Sequence, residues 1–166
     1  MNTGSPGVVF DCNVFLQAVA NDESAVAKAL DFLEAGLITL FVSEPILREV
    51  RDVLTRPKLR RQMPQITDVR VSAMLQRLAN KAILIQNIPE EFQSKRDPKD
   101  EIYLNLAIVA NAKFLISRDQ DLLDLMTTST DEARQFRSLY PFLRIMKVAD
   151  FVTEIESEYD PRNQRV

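Results

Sequence analysis

The sequence predicts an α/β fold, a three-layer α/β/α arrangement with a mostly parallel sheet, and three observations carry that prediction. Short β-branched or aliphatic runs alternate with segments whose apolar residues recur at helical spacing. One stretch, DEIYLNLAIVANA, is apolar on nearly every face, as a helix buried against a sheet must be. At 166 residues and 46% apolar, the chain is long enough for one domain with its own core. Strands that alternate with helices are joined by right-handed crossovers, which makes the sheet parallel and covers both of its faces.

Each element follows from local pattern. GVVF at 7–10 is a strand, and SAVAKALDFLEAG is a helix with Val26, Ala29, Leu30 and Leu33 on one face, punctuated by Gly36. LITLFVS is a buried strand. In EPILREVRDVLTR, Pro45 suits a first helical turn, and Ile46, Leu47, Val50, Val53 and Leu54 form an apolar arc. TRPKLRRQMPQITD is expected to be a proline-marked connection. Val71, Met74, Leu75 and Leu78 then mark another amphipathic helix, followed by the apolar run AILI. KFLIS is a strand, RDQDLLDL a short helix and LRIMKV the last strand, while TTSTDEARQFRS reads as a surface connection with room for a short helix. The domain is expected over 1–152, with a loose polar tail over 153–166.

What is missing excludes whole reaction classes. There is no histidine, so no Ser-His-Asp or Cys-His nucleophile and no imidazole-bound zinc. The three glycines stand outside any GxGxxG or GxxxxGK[ST] pattern, which removes the usual dinucleotide and P-loop phosphate sites. The single Cys12 permits no internal disulfide and is expected to be a small buried apolar residue. No membrane-length apolar run is present and MNTGSPG lacks a secretory pattern, so a soluble cytoplasmic protein is expected.

The carboxylates carry the functional signal. In a doubly wound sheet, strand ends and the starts of the crossover helices face one crevice. Asp11 follows the first strand, Asp119 follows FLIS after one arginine, and Asp100 opens the central apolar helix. Glu49 lies about 40° beyond Val53 on its helix, beside the buried arc. Each has an ordinary alternative. Asp97 suits an N-cap before Pro98, with Asp100 completing a capping box; Ser117 or Asp119 suits the cap of QDLLDL; Asp11 ends a strand; Glu49 flanks a helix. Their convergence on one edge favours function. Two unit charges 4 Å apart repel by about 4 kcal/mol at an effective dielectric of 20, so such a cluster calls for a cation. All-oxygen ligands select Mg2+ or Mn2+, the ions of phosphodiester and phosphate-ester hydrolysis.

VVFDCNVFLQA, FVSEPILREVRDVLTRPKL, DPKDEIYLNLAIVANAKFLISRDQDLL and the closing ADFV together resemble the PIN-domain nucleases, in particular the VapC-like toxin components of type II toxin-antitoxin pairs. The resemblance spans residues 8 to about 152. It implies Mg2+ or Mn2+ held by Asp11, Glu49, Asp100 and Asp119 for RNA hydrolysis. It implies supporting roles for Asn13, Ser43 and Ser117, and places Asp97 and Asp121 as extra carboxylates around the ligands. It further implies an RNA substrate, a cognate antitoxin and a homodimer.

Net charge is −3 and the pI about 5.1, unlike a general nucleic-acid binder. Two local basic patches are candidates for RNA: Arg56, Lys58, Arg60 and Arg61, and Lys95, Arg96 and Lys99. Two other functions fit the residues. A haloacid-dehalogenase-type phosphatase also places Asp after its first strand, but it wants a second Asp where Asn13 stands. A noncatalytic PIN-like interaction domain would keep the shape without binding metal.

Overall fold

A computed structural model of the chain describes residues 4–21, 24–160 and 162. Its centre is a five-stranded sheet in the order β3-β2-β1-β4-β5, with every pairing parallel. The strands are β1 (Gly7–Phe10), β2 (Thr39–Val42), β3 (Ile83–Leu84), β4 (Phe114–Ile116) and β5 (Arg144–Met146). Helices cover both faces, giving the expected α/β/α layers.

The central strands are short because both faces are buried and only three or four residues are needed to cross the core. Val8, Val9 and Phe10 of β1 and all of β4 are buried, the near-continuous apolar run that a doubly covered parallel strand requires. The outer strand β3 is reduced to two exposed residues, so half of the apolar run AILI lies outside the strand.

Residues 12–20, to which the sequence analysis assigns no element, form helix α1 (Cys12–Ala20). Val14, Phe15 and Val19 favour strands locally, yet the Asp11 cap starts a helix that buries them against the sheet. Helix α2 (Ala25–Glu34) follows, and just past its cap Gly36 takes a φ of +72°, a left-handed conformation that favours glycine. Helix α3 (Glu44–Thr55) buries Ile46, Val50 and Leu54.

The connection expected over TRPKLRRQMPQITD contains a short helix, α4 (Pro57–Gln62). Pro57 sits at its start, where its missing N–H is not needed. Helix α5 (Asp68–Lys81) buries Val71, Met74 and Leu78 as the spacing requires. A 3-10 turn over Pro98–Asp100 leads into α6 (Glu101–Val109), whose residues Tyr103 to Ala107 are all buried.

Helix α7 (Gln120–Thr127) precedes α8 (Asp131–Leu139), which occupies the supposed surface connection. Phe136 of α8 is fully buried, edge-on to Phe92 at 5.2 Å. The last helix, α9 (Val148–Glu158), carries the chain past the expected boundary at 152. Ile155, fully buried, anchors what the sequence analysis treats as the start of a polar tail. The end of that tail, residues 161 and 163–166, lies outside the described residues. No helix among the described residues is long and apolar enough to cross a membrane.

The strand order places the functional edge. The chain builds outward from β1 through β2 to β3, then returns to the other side of β1 with β4 and β5. The reversal at β1 and β4 is a topological switch point, where the diverging connections leave a crevice beyond the carboxyl ends of the strands. Continuing the register of β1 with β2 and β4 just past the strand ends brings Ser43, Asp11 and Ser117 level across that edge.

Candidate metal centre

Asp11 is held in place by the backbone around it. As N-cap of α1, it accepts a hydrogen bond at 2.6 Å from the Asn13 N–H, a normal cap that also fixes the carboxylate's direction. Its second oxygen accepts from the Ser117 hydroxyl, and Ser117 Oγ accepts in turn from the Asp119 N–H at 2.9 Å. Ser117 is fully buried and thus ties the ends of β1 and β4 together. The Asp11 carboxyl, 5% exposed, is pushed above its ordinary range. Burial is the largest cause, partly offset by the two hydrogen bonds and reinforced by the charges of Asp119 and Glu49.

Asp119 caps α7 in the same manner, accepting from the Asp121 N–H at 2.8 Å. At the start of α6, Asp97 takes the capping role by accepting from the Lys99 N–H at 2.9 Å. The Asp97 N–H donates to Ser94 Oγ at 3.2 Å, so the capping box expected with Asp100 does not form. Asp100 is therefore unused as a cap and is 7% exposed. Its carboxyl is pushed up to about 7 by burial first, then by Asp119, Asp97, Asp11 and Asp121.

Asp100, Asp119 and Asp121 each offer a carboxylate oxygen within 4.8 Å of the other two. Oxygens on opposite sides of a magnesium ion lie about 4.2 Å apart, given bonds of roughly 2.1 Å. Small side-chain adjustments therefore let this triad close on a hard divalent cation, and the all-carboxylate donor set suits Mg2+ or Mn2+. The arrangement promotes Asp121 from the surroundings of the site to the tightest group in it. Its other neighbour is Arg96, which bridges Asp121 at 3.1 Å and Asp124 at 2.6 Å.

Glu49 stands on α3 and accepts from the Tyr103 hydroxyl of α6. Its charge reaches Asp11, though Glu49 lies outside the triad. Cys12 beside Asp11 is half-buried rather than buried, and its thiol is pushed up to about 12 by burial and by the charges of Glu49 and Asp11. Asn13 contributes its backbone N–H while its side chain is on the exposed surface. Ser43 is buried at the end of β2 without a hydrogen-bond partner for its Oγ.

The basic patches divide. Arg56 pairs with Asp52 at 2.5 Å, Arg60 pairs with Asp68 at 2.5 Å and Arg96 bridges two aspartates, so these three have carboxylate partners already. Lys58, Arg61, Lys95 and Lys99 are exposed, with no ion pair among the described residues. Arg118, exposed and adjacent to Asp119, shares that property, although the sequence analysis does not single it out. It also misses Tyr103 and Asn105. Asn105 is 4% exposed, accepts from the Phe92 N–H at 2.8 Å and donates to the Phe92 carbonyl at 3.2 Å, pinning the irregular segment 85–97 against α6. The only sequence signal for Asn105 is a polar residue inside an apolar helix.

Comparison with known proteins agrees with this geometry. The chain is 28% identical over 149 residues to a protein of Methanocaldococcus jannaschii described as uncharacterized, covering 90% of this chain and 91% of that protein. A PIN domain family profile matches residues 7–121, a span that runs from β1 through the start of α7 and takes in Asp11, Glu49, Asp97, Asp100, Asp119 and Asp121. Covering more than half of the chain, that match shows that this protein belongs to the PIN domain family.

Proposed function

We propose that this chain is a metal-dependent ribonuclease that hydrolyses RNA phosphodiester bonds with Mg2+ or Mn2+. The observation that carries this reading is the close approach of Asp100, Asp119 and Asp121 at the switch point, beside the buried Asp11. Carboxylates from separate elements, in a pocket that burial makes unfavourable for them, form a cation site ready for charge.

A bound divalent ion supplies two things, neutralisation of the scissile phosphate and acidification of a water. Asp100, Asp119 and Asp121 would hold it, and Asp11 would contribute charge and position through Ser117. Glu49, steadied by Tyr103, orients the attacking water and takes its proton. Lys99 and Arg118 immediately precede Asp100 and Asp119 on the exposed rim and grip phosphates flanking the cut. The chain has no histidine to serve as base, so that duty falls to a carboxylate, and the reading is direct attack by water without a covalent enzyme intermediate.

We extend this reading to a toxin partnered by a cognate antitoxin and acting as a homodimer, on the strength of the motif resemblance. Growth arrest on expression, relieved by co-expression of the neighbouring gene, tests that extension. The nuclease itself is tested by incubating single-stranded RNA with purified protein and Mn2+. Cleavage that EDTA abolishes and that falls at least a hundredfold in Asp11→Asn and Asp100→Asn, with unchanged circular dichroism, is expected. Full cleavage by either variant rejects the assignment.

A further inference from the structure

Beside the acidic site lies a second cavity of about 220 Å³, bounded by the ends of β2 and α3, the segment 85–97 and the first turns of α6. Its lining combines apolar surfaces such as Pro45, Pro89 and Ile102 with polar groups from Ser43, Glu101, Glu90 and Asn105; Glu90 is exposed and Asn105 is engaged with Phe92. Drug-sized sites begin at roughly 300 Å³. This cavity is smaller, suited to one flat heterocycle.

Two features mark it as built for a ligand rather than left by imperfect packing. Ser43 is 1% exposed, and its Oγ is the one buried side-chain polar atom among the described residues that lacks a hydrogen-bond partner. It occupies the N-cap position of α3 yet makes no cap bond, whereas Ser24, Thr67 and Thr130 at equivalent positions all cap their helices. The hydroxyl is thus free for another partner. Glu101 spends one oxygen on the Ser94 N–H at 2.8 Å, which fixes the carboxylate and leaves its other oxygen to accept. The wall formed by segment 85–97 is kept in place by Asn105 through both bonds to Phe92.

The cavity adjoins the acidic centre. Pro98 and Glu101, both in its lining, bracket Asp100, and Ser43 lies level with Asp11 across the sheet edge. A nucleotide whose phosphate reaches the carboxylates has its base next to this slot. The polar groups then choose the base: the free oxygen of Glu101 has two lone pairs and accepts two adjacent donors in a three-centre bond, and a hydroxyl donates to a neighbouring carbonyl. Guanine offers that set on its Watson–Crick edge, with N1–H and N2–H beside O6. Uracil turns carbonyls toward the carboxylate, and adenine and cytosine present a single amine. Reading a splayed base on this edge is the usual route to sequence-specific RNA recognition.

We propose that the cavity between Ser43 and Glu101 is a guanine-binding subsite that selects the nucleotide beside the scissile phosphate. The proposal rests on the ribonuclease reading for its place in the reaction, but binding of the base is testable alone. Amide NMR shifts of the full chain in EDTA are followed during titration with guanosine, inosine, adenosine, cytidine and uridine 5′-monophosphates. The guanosine nucleotide is expected to move the Ser43, Glu101 and Ile102 amides, with about tenfold weaker binding of the inosine analogue, which lacks the N2 amine. Ser43→Ala and Glu101→Gln are expected to weaken guanosine nucleotide binding at least fivefold with melting temperatures kept. The glutamine retains an acceptor for the Ser94 N–H.

Equal shifts with all five nucleotides, or none at the cavity, overturn the subsite. So does a Ser43→Ala variant that melts several degrees lower while binding the nucleotide unchanged, because Ser43 would then be serving α3 alone. The second measurement sequences the ends produced from a randomised RNA by the Mn2+-loaded protein. Guanine at one fixed position beside the cut, lost in Glu101→Gln, supports the subsite. Cleavage without that preference overturns it while leaving the nuclease intact. Guanosine binding at the cavity by a protein that cleaves no RNA supports the base site and removes the nuclease reading.

Discussion

Replacing Asp100 by asparagine is expected to stabilise the metal-free protein while removing its metal binding. In the folded chain the Asp100 carboxyl is lifted from 3.8 to about 7, chiefly by burial and then by the neighbouring aspartates. The native state therefore holds this proton more tightly than the unfolded chain does, so ionisation opposes folding. Stability from this group is fully present below about pH 4 and is lost as pH rises through about 7. At about 1.36 kcal/mol per pH unit the loss has a ceiling of about 4 kcal/mol; relaxation of the pocket and water reaching the crevice reduce it to about 1–2 kcal/mol. Asparagine stays neutral throughout and avoids that loss. The assay is urea denaturation in EDTA at pH 4, 6 and 8, for wild type and Asp100→Asn. The variant should gain about 1–2 kcal/mol at pH 8 and almost nothing at pH 4, and adding millimolar Mn2+ should raise the midpoint of wild type only. A variant less stable than wild type at pH 8 in EDTA, or a gain independent of pH, would refute the view that crowded anions strain this pocket.

Three further perturbations address the supports of the site. Tyr103→Phe removes the donor to Glu49 and should cost about 1 kcal/mol in urea denaturation, together with a severalfold loss of RNA cleavage. Asn105→Leu deletes both bonds to Phe92; a loss of about 2 kcal/mol and faster proteolysis within 85–97, mapped by mass spectrometry, are expected. The Cys12 thiol, pushed up to about 12, is largely protonated at pH 8, so an aromatic disulfide reagent should label it at least tenfold more slowly in native protein than in urea.

The regular framework is legible in the residues because its signals are local. VVF, TLFV and FLI are continuous apolar runs between polar residues, and Val26, Ala29, Leu30 and Leu33 repeat at helical intervals. The edge that gathers the carboxylates follows from topology, since alternation fixes which strand ends share a side. Helix α1 is hidden because Val14, Phe15 and Val19 are strand-formers by propensity, and only burial against the sheet makes their helical face favourable. Helix α8 is legible only as room for a short helix in a surface connection, because Ala133 and Phe136 give it just two buried positions in nine residues. Asp121 is underrated for another reason. Its entry into the triad depends on Asp119 capping α7, a geometric detail that spacing alone does not reveal. The union of Tyr103 with Glu49 requires α6 to dock on α3, so neither residue announces the other in one dimension.

Asp11, Asp97 and Asp119 each lock a backbone N–H two residues ahead, and two of them also stand at the crevice. A glutamate in their place, longer by one methylene, would overshoot the tight local loop, so homologous-looking acids are not exchangeable here. Because these anchors are set by the chain itself, an incoming ion meets a receptacle already shaped. Its uptake should be governed by how readily it sheds hydration, with no folding step to wait for.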